Sequence, residues 1–170
     1  MSTPITLHAV TQDNAAHTVP EVLRLIKALA LYEKAPDQVE ATEELLHESF
    51  FKHGYCQGVL AYEGEEGPGE GRKAVGMAVY TFSFSTWTGR GGLYLEDLFV
   101  EETHRGQGIA KKLFNYLGQI CEARRLPRME WVVIDWNTPA KEVYRRMGAK
   151  HMSEWELMRL TGEPLQRLAQ

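Results

Sequence analysis

Residues 5–10, ITLHAV, alternate between apolar and polar positions as a short strand does, with successive side chains on opposite faces. The stretch T-V-P-E that begins at Thr18 reads as a capping box, with Pro20 in the first helical turn and Glu21 three residues after the cap. A helix is predicted from there to about Tyr32, and a second from roughly Thr42 to His53. Two strand-like runs follow, YCQGVLAYE and KAVGMAVYTFSFSTW, joined by GEEGPGEGR, whose glycines and acids read as an exposed hairpin loop. GLYLEDLFV (92–100) is a further strand. It leads into HRGQGIAKK (104–112) and then into a helix, in which Ile109, Leu113, Leu117, Ile120 and Cys121 recur at helical spacing.

Beyond that helix, MEWVVIDW (129–136) is β-branched and aromatic and short enough for a buried strand. Pro139 is predicted to start a short helix and Gly148 to end it. Ala140, Val143, Tyr144 and Met147 lie at i, i+3, i+4 and i+7, which puts Tyr144 on the inward stripe. The tail, KHMSEWELMRL, reads as two short strands with a last turn of helix near Leu165. Strands before helices on both sides of the centre predict an α/β fold, a mixed central sheet with helices on both faces.

Composition narrows the class. A chain of 170 residues fits one domain, 1–170, that buries a real core without disulfides or a structural metal. Cys56 and Cys121 form no C-x-x-C pair, and the six histidines show no H-E-x-x-H spacing, so no metal is expected. The N-terminus lacks a basic stretch followed by a long apolar one, and no apolar run approaches a membrane span. The expectation is a cytoplasmic protein with neither membrane nor nucleic-acid partner. The net charge of −4 fits that picture and permits cationic small molecules.

Three features offer chemistry. Glu96 and Asp97 interrupt an apolar strand, and strict alternation sends one to each side of the sheet. Burying a carboxylate is costly unless it is paired. The pair therefore either sits at a wet sheet end holding backbone, or supplies a proton acceptor. The glycine turn fits a tight strand-to-helix connection and equally an anion cradle, in which glycines admit a ligand close to the backbone and helix-start N–H groups face phosphate oxygens. Tyr144 is read either as a core tyrosine with a bonded hydroxyl or as an acid. The turn lacks the G-K-[ST] ending of a nucleotide P-loop, and no G-x-S-x-G is present.

Taken in order, YLEDLFV, RGQGIA, VIDWN and PAKEVYRRMGA resemble the GNAT acetyltransferases, and within them the spermidine/spermine acetyltransferase group. Through FSFSTWTGR and VIDWN the likeness runs to the thialysine acetyltransferase branch. The resemblance implies the GNAT fold, a homodimer, acetyl-coenzyme A (acetyl-CoA) as co-substrate, and direct transfer of acetyl to a small primary amine in a ternary complex. Thialysine or a related lysine analogue comes before polyamines.

Position by position, the resemblance implies that Leu98, Phe99 and Val100 offer backbone groups to the pantetheine arm. Arg105 opens the turn, and Gly106, Gln107, Gly108, Ile109, Ala110 and Lys111 wrap the diphosphate. Asn137, Thr138, Pro139 and Ala140 line the other side of the cofactor. Glu96 deprotonates the amine through water, and Tyr144 protonates the departing thiolate. Tyr32, Glu33, Trp87, Glu96 and Asp97 hold the cationic acceptor. Several positions depart from the group's pattern. Ser85 and Thr86 stand before Trp87 where an acidic residue and proline are usual, which favours a shorter amine. Ala110 replaces a glycine, His104 a tyrosine, and Met158 a tryptophan. The competing readings are a polyamine acetyltransferase, a protein-lysine or N-terminal acetyltransferase, and a non-catalytic acyl-CoA-binding module.

Overall fold

The computed structural model describes residues 3–169. The chain divides between Val132 and Val133 into two compact units.

The first unit is built on a five-stranded sheet in the order β1-β2-β3-β4-β5. Its strands are β1 (Ile5–Ala9), β2 (Gln57–Glu63), β3 (Ala74–Ser85), β4 (Arg90–Val100) and β5 (Met129–Glu130). β1 to β4 pair antiparallel, and β5 joins β4 in parallel through the crossover helix α3 (Ile109–Ala123). The sheet is therefore mixed, as the element order predicts. β3 lies at the centre, and its residues from Ala74 to Tyr80 are all buried. A strand covered on both faces reads as a continuous apolar run, and KAVGMAVY does so.

Alternate residues of β3 face different helices. Met77 and Val79 join a cluster with Val22 and Leu25 of α1 (Ala15–Tyr32), together with Phe50, Leu60 and Phe99. Gly76 faces the other way, where an added Cβ would come within 3.2 Å of Ile109 Cγ2 in α3. Helices thus pack on both faces. The α3 stripe is read correctly from spacing: Ile109, Leu113 and Leu117 are fully buried, and Cys121 lies half-buried at the helix end. GEEGPGEGR connects β2 to β3 as expected. The second predicted helix is a short α2 (Glu43–His47), capped by the Thr42 hydroxyl accepting from Leu45 N–H, that widens into a π-helical turn at Glu48–Lys52.

The first helix begins earlier than the capping-box reading places it. A 3-10 turn at Gln12–Asn14 runs directly into α1, and Thr18 sits inside the helix, fully buried. Its hydroxyl donates to the Asn14 carbonyl at 3.1 Å, which satisfies a buried polar group without capping anything. Pro20 is therefore an interior proline. Glu21 instead accepts from the backbone N–H of Ala74 at 2.6 Å and from Arg24, anchoring α1 to the start of β3.

Two strand expectations fail. Of MEWVVIDW only Met129 and Glu130 pair, opposite Leu93 and Tyr94. Two residues farther on, β4 carries a bulge, which bends the strand and interrupts the even spacing that a parallel partner needs. Trp131 packs its ring on Phe114 of α3, 5.5 Å between centroids.

The second unit contains α4 (Thr138–Arg146) and α5 (Gly162–Arg167). α5 fulfils the expected turn near Leu165, but the KHMSEWELMRL segment has no strand among the described residues. A strand is stable only in a ladder, and this tail has no ladder partner.

Candidate functional site

The residues that carry the chemistry in the first unit lie along one continuous segment, 96–111, with α1 beside it. β4 pairs Asp97 with Val79 and Leu95 with Tyr80, so Glu96 is the extra residue of a β-bulge. Strict alternation would separate the two carboxylates. The bulge instead turns Glu96 toward the side that carries Asp97, correcting the expectation of one on each face. Two electrostatic effects agree. Burial pushes the Asp97 carboxyl up to about 6, and the charges of Glu96 and then Glu33 add to it. The Cys56 thiol is pushed up to about 11, by burial first and then by Glu96. Burial also raises Glu33, the residue that caps the C-terminus of α1. Glu33, Cys56, Glu96 and Asp97 thus share one neighbourhood. Among the described residues these acids do not close into a metal-binding group. What the arrangement attracts is a cation that neutralises the Glu33 and Asp97 carboxyls, both held above their ordinary range.

The bulge also decides which backbone groups of β4 face outward. Leu93 N–H donates to the Arg128 carbonyl at 3.1 Å, so Leu93 faces β5. Glu101 N–H donates to Val75 across β3, which turns Val100 the other way, and the Val100 carbonyl indeed accepts from Arg105 Nε at 3.1 Å. Leu93 and Val100 are an odd number of residues apart and yet face the same edge, because the bulge inserts one residue between them. Leu98 and Val100 therefore present their backbone to the edge that β5 leaves uncovered. Phe99, opposite Met77, turns its backbone toward β3.

The edge runs into the glycine turn. Gly106 and Gly108 have φ of +77° and +79°, and Gly108 is the left-handed N-cap of α3. A Cβ at either would meet nothing within 4 Å, so the space above the turn is open and only backbone conformation requires glycine. The first backbone amide of α3 with a partner is Lys112 N–H, which donates to the Gly108 carbonyl at 3.0 Å. No backbone acceptor among the described residues takes the N–H groups of residues 106–111. Together they are a row of backbone donors at a helix N-terminus, an arrangement suited to an anion. Ile109 contributes its amide while its side chain is buried in the core. The Lys112 ammonium donates to the Ile5 carbonyl at 3.0 Å on the outer edge of β1, so its charge is engaged elsewhere, and Lys111 is exposed.

Tyr32 ends α1, and the Arg105 guanidinium lies 4.8 Å from its ring centroid. Trp87 is not brought to the carboxylates. It occupies the β3–β4 hairpin tip, 90% exposed. The six residue steps from Arg90 to Glu96 span about 20 Å of strand.

In the second unit, Asn137 caps α4, its Oδ1 accepting from Ala140 N–H at 3.3 Å, with Thr138 and Pro139 in the first turn. The helix closes at Gly148, φ +90°, where Gly148 N–H donates to Arg145 and Ala149 N–H to Tyr144, a Schellman ending. Both ends match the sequence reading. The stripe fares less well: Ala140 and Tyr144 are half-buried, but Val143 and Met147 are 46% and 48% exposed.

Sequence reasoning missed two participants. Cys56 carries no motif, and the charge of Glu96 acts on its thiol from forty positions away in the chain. The Arg105 side chain, read as part of the turn, is directed back at the sheet and α1. Among the described residues no helix is long and apolar enough to cross a membrane.

Comparison with known proteins gives a consistent result. Residues 22–149 match the family described as Acetyltransferase (GNAT) family. A thialysine N-epsilon-acetyltransferase of Bos taurus is 38% identical over 156 residues, covering 87% of this chain and 89% of that one. Spermidine/spermine N(1)-acetyltransferase-like protein 1 of Homo sapiens is 34% identical over 88% of this chain, which spans 22% of that longer protein. Among solved structures, an integron cassette protein from the mobile metagenome of V. cholerae superposes with a TM-score of 0.75 at 27% identity, over 99% of this chain and 98% of that one.

Proposed function

The chain belongs to the acetyltransferase (GNAT) family and is an N-acetyltransferase; from that premise we propose that it moves acetyl from acetyl-CoA to a small primary amine, thialysine or a related lysine analogue first. The observation that supports this most is the continuity of residues 96–111. A bulged carboxylate leads through an uncovered strand edge to a row of unpaired amides at a helix N-terminus.

In this reading the amides of Gly106, Gln107, Gly108, Ile109, Ala110 and Lys111 hold the diphosphate, with side-chain charge secondary. The edge groups of Leu98 and Val100 hold the pantetheine arm, and a fixed N–H there stabilises negative charge on the acetyl oxygen as the amine attacks. Glu33, Asp97 and Tyr32 attract and orient the protonated amine. A protonated amine cannot attack, so Glu96 takes its proton through water. The new C–N bond forms as the C–S bond breaks. Tyr144 gives its phenolic proton to the departing thiolate, and Asn137, Thr138, Pro139 and Ala140 line the sulfur end. No covalent enzyme intermediate enters. The same reading makes the enzyme a cytoplasmic homodimer, which light scattering after size exclusion and cell fractionation would check.

A panel of thialysine, lysine, ornithine, putrescine, spermidine and peptide amines with acetyl-CoA tests the proposal. Thialysine is expected to give the highest kcat/KM; binding of acetyl-CoA with no turnover of any amine refutes it. Glu96→Gln and Tyr144→Phe are each expected to lower kcat by on the order of 10²–10⁴ while leaving acetyl-CoA binding largely intact. A polyamine acceptor is the second reading, favoured by three neighbouring carboxylates able to hold more than one ammonium. Spermidine exceeding thialysine in kcat/KM would establish it.

A further inference from the structure

Arg105 carries the first side chain of the glycine turn, and an arginine beside an anion cradle invites a role as phosphate ligand. Its contacts point elsewhere. Nε donates to the Val100 carbonyl at 3.1 Å, and the guanidinium lies 4.8 Å from the Tyr32 ring centroid and 5.7 Å from that of Phe99. We propose that Arg105 is a positioning residue that straps the acceptor side of the site to the donor side. The proposal rests on the acetyl-transfer reading above and adds to it a role for one side chain.

The physical argument starts from three separate pieces of chain. Tyr32 is the last residue of α1, and the next residue, Glu33, is one of the carboxylates acting on Asp97. Val100 is the last residue of β4 and faces the uncovered edge. Arg105 itself opens the turn whose next residues supply the unpaired amides. A guanidinium suits this junction, because its planar face stacks on aromatic rings while its edge N–H groups keep donating in the ring plane. A lysine, with a compact charge and no flat face, makes the point contact but not the stack. With Val100 fixed, the peptide that meets the thioester arm holds its orientation. With Tyr32 held against the same guanidinium, Glu33 stays beside Asp97. Both halves of the reaction geometry therefore depend on one side chain that need touch neither substrate.

The adjacent residue ties the same short segment in another direction. His104 Nε2 lies 3.6 Å from Glu63, and its backbone N–H donates to the Glu101 carbonyl at 2.9 Å. Arg24 on α1 reaches Glu101 as well. The turn is thus moored at His104 toward β2 and at Arg105 toward α1 and β4. Only the second mooring reaches the acceptor side.

Kinetics and unfolding of the 170-residue chain carrying Arg105→Ala, Arg105→Lys, Tyr32→Leu and the Arg105→Ala/Tyr32→Leu pair test the strap. The expected result is a several-fold rise in KM for the amine as well as for acetyl-CoA in Arg105→Ala, on the order of the 2- to 30-fold that a cation–π contact is worth. Arg105→Lys should recover acetyl-CoA affinity in part but not amine KM, and, because Arg105 acts on the amine through Tyr32, the amine KM of the double variant should be no worse than that of Tyr32→Leu. A phosphate ligand gives the opposite pattern: acetyl-CoA KM alone changes, lysine rescues, and Tyr32→Leu adds independently. That pattern overturns the proposal. Thermal midpoints of the same four proteins read the Arg105–Tyr32 coupling without any turnover. Non-additive shifts with no acetylation of any amine would leave the strap standing and remove the acetyl-transfer reading; additive shifts with normal turnover would do the reverse. If Arg105→Ala does not fold, Tyr32→Phe against Tyr32→Leu replaces it, because phenylalanine keeps the ring and should keep the low amine KM.

Discussion

α3 and α4 carry the same kind of apolar stripe and meet different fates. In α3, Ile109, Leu113 and Leu117 are fully buried against the central sheet. In α4, Val143 and Met147 at equivalent spacing stay nearly half exposed. Helical periodicity states which face of a helix is apolar; it does not state that anything covers that face. α3 lies in the unit that holds the sheet and packs on it, whereas the unit of α4 contains no strand among the described residues. The strands read into 129–136 and the tail failed for the same reason, since a β-rich run without a ladder partner stays irregular.

Substitutions at the two helices sharpen the contrast. Leu113→Ala should show the largest loss, about 2–5 kcal/mol in urea unfolding, from lost burial plus the cavity left in a packed interior. A loss below 1 kcal/mol would mean that α3 is not part of the cooperative core.

Next comes the acidic site. Asp97 binds its proton up to about pH 6 in the folded chain, against 3.8 for an ordinary aspartate. Between those values the native state holds more protons than the unfolded state, so stability falls as pH rises, by on the order of 2 kcal/mol. Asp97→Asn should abolish that fall, becoming the more stable protein above pH 6 and no better than the parent below pH 4. Parallel unfolding curves from pH 4 to 8 would contradict the raised pKa. Amine binding should weaken over the same interval as pH drops and the carboxyl protonates.

Gly108→Ala follows, at about 1–2 kcal/mol for a left-handed non-glycine residue. Because an added Cβ meets nothing, the whole cost is conformational, and Gly118→Ala, in the interior of α3 with equally open space, should instead be neutral or stabilising. Equal effects at the two glycines would refute the conformational argument. Val143→Ala on the exposed stripe of α4 should change stability least, within about 0.5 kcal/mol. A cost matching that of Leu113→Ala would show that a partner covers α4 in solution.

Local chemistry fixed much of what mattered before any fold was known. The glycine turn, the α3 stripe, the Asn137 cap, the Gly148 ending and the hairpin loop each depend on neighbours a few residues apart, and each stands where the pattern of residues puts it. Misreadings arose where the deciding partner was remote. Thr18 looked like a cap until Asn14 and the preceding turn took over the helix start. Glu96 and Asp97 looked oppositely directed because a bulge is a mismatch between two strands, and one strand's sequence does not contain it. The Cys56–Glu96 neighbourhood, the alternation that turns Leu98 and Val100 to the open edge, and the path of Arg105 back to Tyr32 all follow from pairing between distant segments. The amino-acid sequence by itself determined which residues could form helices, turns and a phosphate-sized row of amides, because those are short-range properties of the backbone. Which carboxylates meet, which strand edge stays open and which apolar stripe is covered were decided only by tertiary structure, since each depends on a register or a contact that no single segment specifies.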